Sequence, residues 1–353
     1  MLRKLLAPLV AILTVTTSLA QDSSKASPLS ITGSADVYYK YDFGKSAANT
    51  YTSFTGSHNQ FRFGMASVKL EHKTGKVDMV ADLGFGKRAQ EFSYNDDGIL
   101  QAVKQVYVSY APNNIIKFTA GSWATHVGYE LVDPQLNRNY SMSYMFTNGP
   151  FFHTGVKADL TLGKSGVMVG VANPTDFKYV PDGVINKKFF LAQYSYTGSD
   201  FLKLYLNYVG GQGVDTSKSN QVDVVITSKI SDKFSLGYNG TVSSVQKWNG
   251  EKNLGGKSWW GSAIYINVDP TSKFGLTLRS EYFSDKNELK IYTGTMTGTK
   301  VLANTLSANF KVDNLTIIPE FRIDHSSEQI FTKSDATRTK TAANVLLAAV
   351  YSF

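Results

Sequence analysis

The chain has 353 residues, 42% hydrophobic and 18% charged, with a formal net charge of +8 and no Cys. Without a thiol there is no disulfide framework, no thiolate metal site and no lipid attachment point at an export cleavage site. The positive charges are interspersed with acidic ones rather than gathered in runs, so composition gives no support to a nucleic-acid surface.

Met1 to Ala20 combines a basic start (Arg3, Lys4), an apolar run from Leu5 to Leu13, and small residues Ser18 and Ala20 around Leu19. Residues 1–20 therefore read as a secretory signal peptide, since the apolar run falls short of the roughly 20 residues a membrane-spanning helix needs. Removing Arg3 and Lys4 takes the formal charge from +8 to +6. Residues 21–28 are a short N-terminal segment, and 29–353 read as one domain without linker or spacer.

No later stretch is apolar enough for a spanning helix, so a membrane passage has to be made by strands, which cross only as a closed barrel. The mature chain divides into sixteen segments of alternating polarity joined by turns that are short and long in strict exchange. That exchange is expected of an outer-membrane barrel with short periplasmic turns and longer external loops. In the first segment Ile31, Ala35, Val37, Tyr39, Tyr41 and Phe43 share one face, against Thr32, Ser34, Asp36, Lys40 and Asp42. Short turns follow at Thr74-Gly75 and near 112–114, 163–166, 198–200, 231–233, 269–270 and 313–314. Long connectors are expected near 45–60, 86–100, 124–150, 173–187, 210–220, 243–257, 284–299 and 325–340. Two irregularities interrupt the pattern. The apolar phase slips beside Gly64, which predicts a β-bulge, and Pro319 lacks the N–H that an interior strand should donate. The chain closes on an alternating strand whose apolar face is Val345, Leu347, Ala349, Tyr351 and Phe353.

Several segments resemble a known family, the OmpL-like putative β-barrel porins of Gram-negative outer membranes. The resemblance is carried by Gly121-Ser122-Trp123-Ala124-Thr125-His126-Val127-Gly128-Tyr129-Glu130, by Asn139-Tyr140-Ser141-Met142-Ser143-Tyr144 and by His153-Thr154-Gly155-Val156. Arg279-Ser280-Glu281-Tyr282-Phe283-Ser284-Asp285 and Pro319-Glu320-Phe321-Arg322-Ile323-Asp324 are similar as well. The resemblance implies an outer-membrane channel for passive diffusion of small hydrophilic solutes and brings no catalytic residues. The terminal Tyr351 and Phe353 resemble a β-signal, which implies recognition by the barrel-assembly machinery, with outer-membrane lipid as surroundings. A homo-oligomer is compatible with this reading.

Two sets of residues are candidates for the channel. The connector from Ala124 to Pro150 carries Tyr129, Glu130, Arg138, Tyr140 and Tyr144; folded inward it would constrict the lumen, folded outward it would pack on the rim, and the inward reading is preferred. The inward phase places Asp36, Lys40, Lys157, Asp159, Lys203, Arg279, Glu281, Glu320, Arg322 and Asp324 along the pore, as a transverse field or as structural ion pairs. Inward acids outnumber inward bases, so weak selectivity slightly favouring cations is expected unless Arg138 and Lys178 fold in from their loops. Two alternatives remain: a surface-binding barrel with a plugged lumen, and a barrel hydrolase. For the hydrolase the only local pairing is Asp324-His325, with no nucleophile elbow. The five His have no metal-ligand spacing, no cofactor is expected, and Gly210-Gly211-Gln212-Gly213 reads as a flexible external loop.

Overall fold

The computed structural model describes residues 29–184, 186–248, 253–291 and 298–353, so the expected signal peptide and the 21–28 segment lie outside it. Where polarity alternates, the chain is extended. Its strands are β1 (Ser30–Asp42), β2 (Gln60–Thr74), β3 (Val77–Phe85), β4 (Val103–Tyr110), β5 (Ile116–Ala124), β6 (Phe152–Leu162), β7 (Ser165–Ala172) and β8 (Phe189–Tyr196). They continue as β9 (Lys203–Gln212), β10 (Lys218–Ser231), β11 (Phe234–Trp248), β12 (Asn253–Thr271), β13 (Phe274–Asp285), β14 (Thr299–Val312) and β15 (Leu315–Ser326). A small hairpin, β16 (Phe331–Thr332) with β17 (Arg338–Thr339), sits in the last long connector before β18 (Thr341–Ser352).

Fifteen of these strands and β18 form one closed antiparallel barrel of sixteen, β18 pairing with β1 from Ser34↔Ser352 to Asp42↔Asn344. Closure leaves no backbone edge for lipid to meet. The seam is completed by Gly33 and Phe353, which exchange N–H···O bonds of 3.0 Å in both directions. Outside, Val37, Phe61, Val108, Val156, Phe190, Leu206, Leu302 and Leu347 are exposed, a surface that only an apolar surrounding satisfies.

Both irregularities have a structural answer. Between Ala35↔Ala66 and Val37↔Phe63 the register shifts, so Asp36 lies opposite both Gly64 and Met65. This bulge turns Met65 inward, fully buried, where continued alternation would have pointed it at lipid. At Pro319 the ladder with β14 skips from Ser307↔Glu320 to Phe310↔Ile317, while pairing with Leu347 of β18 persists. The missing N–H falls in that gap.

Connector lengths differ from expectation in two places. β9 runs to Gln212 and β10 resumes at Lys218, so most of the Gly210–Gly213 stretch is strand; β11 likewise runs on to Trp248 and β12 starts at Asn253, inside the expected 243–257 connector. Above the apolar band a strand meets water on both faces, so it continues after its apolar period has ended. Polar cross-strand bonds such as Tyr208 Oη to Asn220 Oδ1, 2.7 Å, hold these extensions.

Candidate functional site

The connector between β5 and β6, residues 125–151, descends into the barrel and touches most of its wall. His126 Nε2 lies 3.0 Å from the Tyr208 carbonyl of β9, and Gly128 N donates to Asp223 of β10 at 3.0 Å. Tyr129 stacks on Tyr265 of β12 with ring centroids 4.0 Å apart. It fits because position 237 is glycine, where a Cβ would sit 2.6 Å from the Tyr129 ring. Glu130 pairs with Arg279 of β13, Asp133 with Lys104 of β4, and Arg138 with Asp269 near the short turn after β12. Tyr140 Oη then donates to Asp36 of β1, and Tyr144 Oη to Asp324 of β15 at 2.9 Å.

A loop buried this deeply needs partners for its backbone, because an unsatisfied buried N–H or C=O costs roughly 1–3 kcal/mol. The inward charges of β13 and β15 supply them. Glu320 accepts from Tyr140 N at 2.8 Å and Ser141 N at 3.2 Å; Glu281 accepts from Tyr144 N and Met145 N, each at 2.8 Å. Arg279 donates to the Ser141 carbonyl and Arg322 to the Met142 carbonyl, both at 2.7 Å. Ser143 caps a single-turn helix, α1 (Tyr144–Asn148), by accepting from Phe146 N at 3.0 Å.

The candidate pore residues therefore divide. Asp36, Lys40, Arg279, Glu281, Glu320, Arg322 and Asp324 point inward but are buried under loops, not open to lumen water. Lys40 is covered by the first long connector, donating to Thr50 and to the Thr55 carbonyl. Arg322 also binds Asp324, at 2.8 Å. Lys157, Asp159 and Lys203 stay partly exposed, Lys157 lying 3.4 Å from Asp159 and Lys203 3.2 Å from Asp200. Arg138 and Lys178 each pair with a carboxylate, Arg138 with Asp269 near the short-turn end and Lys178 with Asp96 of the connector after β3.

Sequence reading missed Arg88. It is fully buried, lies 4.9 Å from the Phe54 ring and 4.7 Å from the Tyr140 ring, and donates to the Val132 carbonyl at 3.2 Å. Nothing in its local pattern marks it, since it sits in a connector. Lys104 was missed too: it is buried inside the barrel and paired with Asp82 at 3.0 Å. The Asp324-His325 dyad does not form: adjacent strand residues point to opposite faces, so Asp324 is buried inside while His325 is exposed and bonds Thr341 at 2.8 Å. Among the described residues no group of three or more His, Asp or Glu could hold a metal ion.

Above the loop, facing the long connectors, is a cavity of about 650 Å³, lined by groups that include Tyr94, Asp176, Phe177, Gln221, Ser243 and Trp259. Asp176 organises its rim. Its Oδ1 accepts from Phe151 N at 2.6 Å and Phe152 N at 3.1 Å, and its Oδ2 from Tyr94 Oη at 3.0 Å. It does so from a left-handed backbone, φ 65°, that an ordinary side chain adopts at a cost. Burial pushes its carboxyl up to about 6 against those three bonds. Smaller recesses of about 110 and 150 Å³ lie at the short-turn end, beside Arg138 and beside Tyr129.

The family described as "Putative beta-barrel porin-2, OmpL-like" matches residues 28–353. Among solved structures, the anion-selective porin from Comamonas acidovorans superposes with a TM-score of 0.62 at 11% identity, over 92% of this chain and 99% of that one. The outer membrane channel DcaP of Acinetobacter baumannii gives 0.60 at 12% identity, over 95% and 100%. The trimer form of OmpT of Vibrio cholerae gives 0.58 at 13%, over 92% and 99%. No curated protein matches. At these identities the solved structures establish the shared barrel and nothing finer.

Proposed function

The chain belongs to the OmpL-like porin-2 family of outer-membrane β-barrel channels for small solutes, and from that premise we propose that loop 125–151 sets the cross-section of its channel. The observation that carries this is the ring of anchors from the loop to β1, β4, β9, β10, β12, β13 and β15. A sixteen-strand barrel is wide enough for an aqueous passage, so whatever crosses its interior determines what passes. The buried charges of β13 and β15 act as loop anchors, and the transverse field is left to Lys157, Asp159 and Lys203. No hydrolytic step belongs to this reading, because Asp324 and His325 face opposite sides of the wall. Tyr351 and Phe353 act in assembly. Self-association is proposed on the precedent of the Vibrio cholerae trimer form, and sedimentation in detergent tests it.

Liposome swelling with sugars of graded size tests the constriction. Arg279→Ser removes two anchors at once and should admit larger sugars than the wild type. An unchanged size limit in a folded variant would place the constriction elsewhere.

A further inference from the structure

We propose that the 650 Å³ outer vestibule is a capture site for neutral polyhydroxylated solutes of mono- to disaccharide size. The inference rests on the channel reading and names the solute class. A cavity of this volume is within the range of small-molecule sites. Its rim is held in shape by Asp176, which joins the connectors after β3, β5 and β7 through Tyr94, Phe151 and Phe152, and a preformed site loses less on binding.

The charges of the lining argue against an ionic ligand. Among the described residues three carboxylates, Glu91, Asp176 and Asp215, face the cavity with two ammonium groups, Lys247 and Lys290. The near balance offers an anion little net attraction, and a cation finds the carboxylates already in use. Glu91 accepts from Phe54 N at 2.6 Å, Asp215 from Ser217 N and Oγ at 3.1 and 2.6 Å, and Asp176 has its three donors.

What remains is neutral and amphipathic. Ser219, Gln221 and Ser243 bring hydroxyl and amide groups, while Tyr94 and Phe177 bring partly exposed ring faces. Trp259 lies at the wall almost wholly buried and adds an apolar ring to it. Polyols combine hydroxyls that match the polar groups with C–H faces that lie against rings.

The test is ion current through the reconstituted full-length mature barrel with maltose added on the side of the long connectors. Maltose should reduce the current in a saturable way, glucose more weakly, and succinate only at higher concentration. Ser243→Val should raise the half-blocking maltose concentration about three- to tenfold, the worth of one hydrogen bond. Ser219→Ala should do the same and serves if the Ser243 variant fails to fold. Steady current that ignores maltose, stronger block by succinate, or variants that block like the wild type would each overturn the proposal. If no current is seen at all, the channel reading fails separately, and calorimetry of maltose with the purified barrel in detergent decides the vestibule, with absence of heat overturning it.

Discussion

Asp36 shows how a single inward carboxylate is made specific. It accepts from Met65 N at 3.0 Å and from Tyr140 Oη, and it can approach because position 64 has no Cβ, which would otherwise run into the carboxylate. Gly64→Ala should cost about 1–3 kcal/mol, the usual price of overpacking, read as a lower urea midpoint. Arg279→Met strands Glu130 in a buried site, and breaking such a pair costs about 3–5 kcal/mol; adding Glu130→Gln should recover part of the loss. Asp176 gives a pH signature. Its folded pKa of about 6 lies above the unfolded value near 3.8, so the folded rim binds more protons between those limits and its stability falls as pH rises through them. After correction for intrinsic exchange, the Phe151 and Phe152 amides should be better protected from hydrogen exchange at pH 4.5 than at pH 7, and Asp176→Asn should flatten that difference. The inward residues of β13 and β15 were legible from the two-residue period. Their partners were not, because Tyr144 meets Asp324 across 180 positions of sequence.

Strands were the legible elements and loops the illegible ones. Alternation exposes a strand wherever lipid lies on one side and polar surroundings on the other, which is why the sixteen segments and the Gly64 bulge could be read directly. It fails above the membrane, where β9 to β12 run on through residues that read as connector. It also says nothing about the direction of loop 125–151, whose fold is decided by hydrogen bonds to distant strands rather than by its own pattern. The terminal strand makes a separate test. Phe353 closes the seam through its backbone, while its ring is exposed. Phe353→Asp keeps those backbone bonds and places a charge at an apolar surface, so it should lower the membrane-inserted fraction, measured by heat-modifiable mobility. Normal insertion would make the terminal ring incidental.

At the scale of the molecule the barrel is a wide wall whose interior is largely given to one loop and the charges that hold it. Because those charges are paired with one another and with backbone groups, net charge should govern permeation only weakly. Arg138 and Lys178, the two loop bases that could have favoured anions, are each paired with a carboxylate. The reversal potential across a salt gradient should therefore lie close to zero. Lys157→Glu, at a partly exposed inward position, should move it toward cation preference further than Lys300→Glu does on the outer rim. The most direct test of the whole account is single-channel conductance in a planar bilayer for the wild type and for a barrel in which residues 131–146 are replaced by a short flexible link. Small discrete steps in the wild type that grow several-fold on excision are the expected result. Equal conductance in the two, or none in either, would contradict a channel narrowed by this loop.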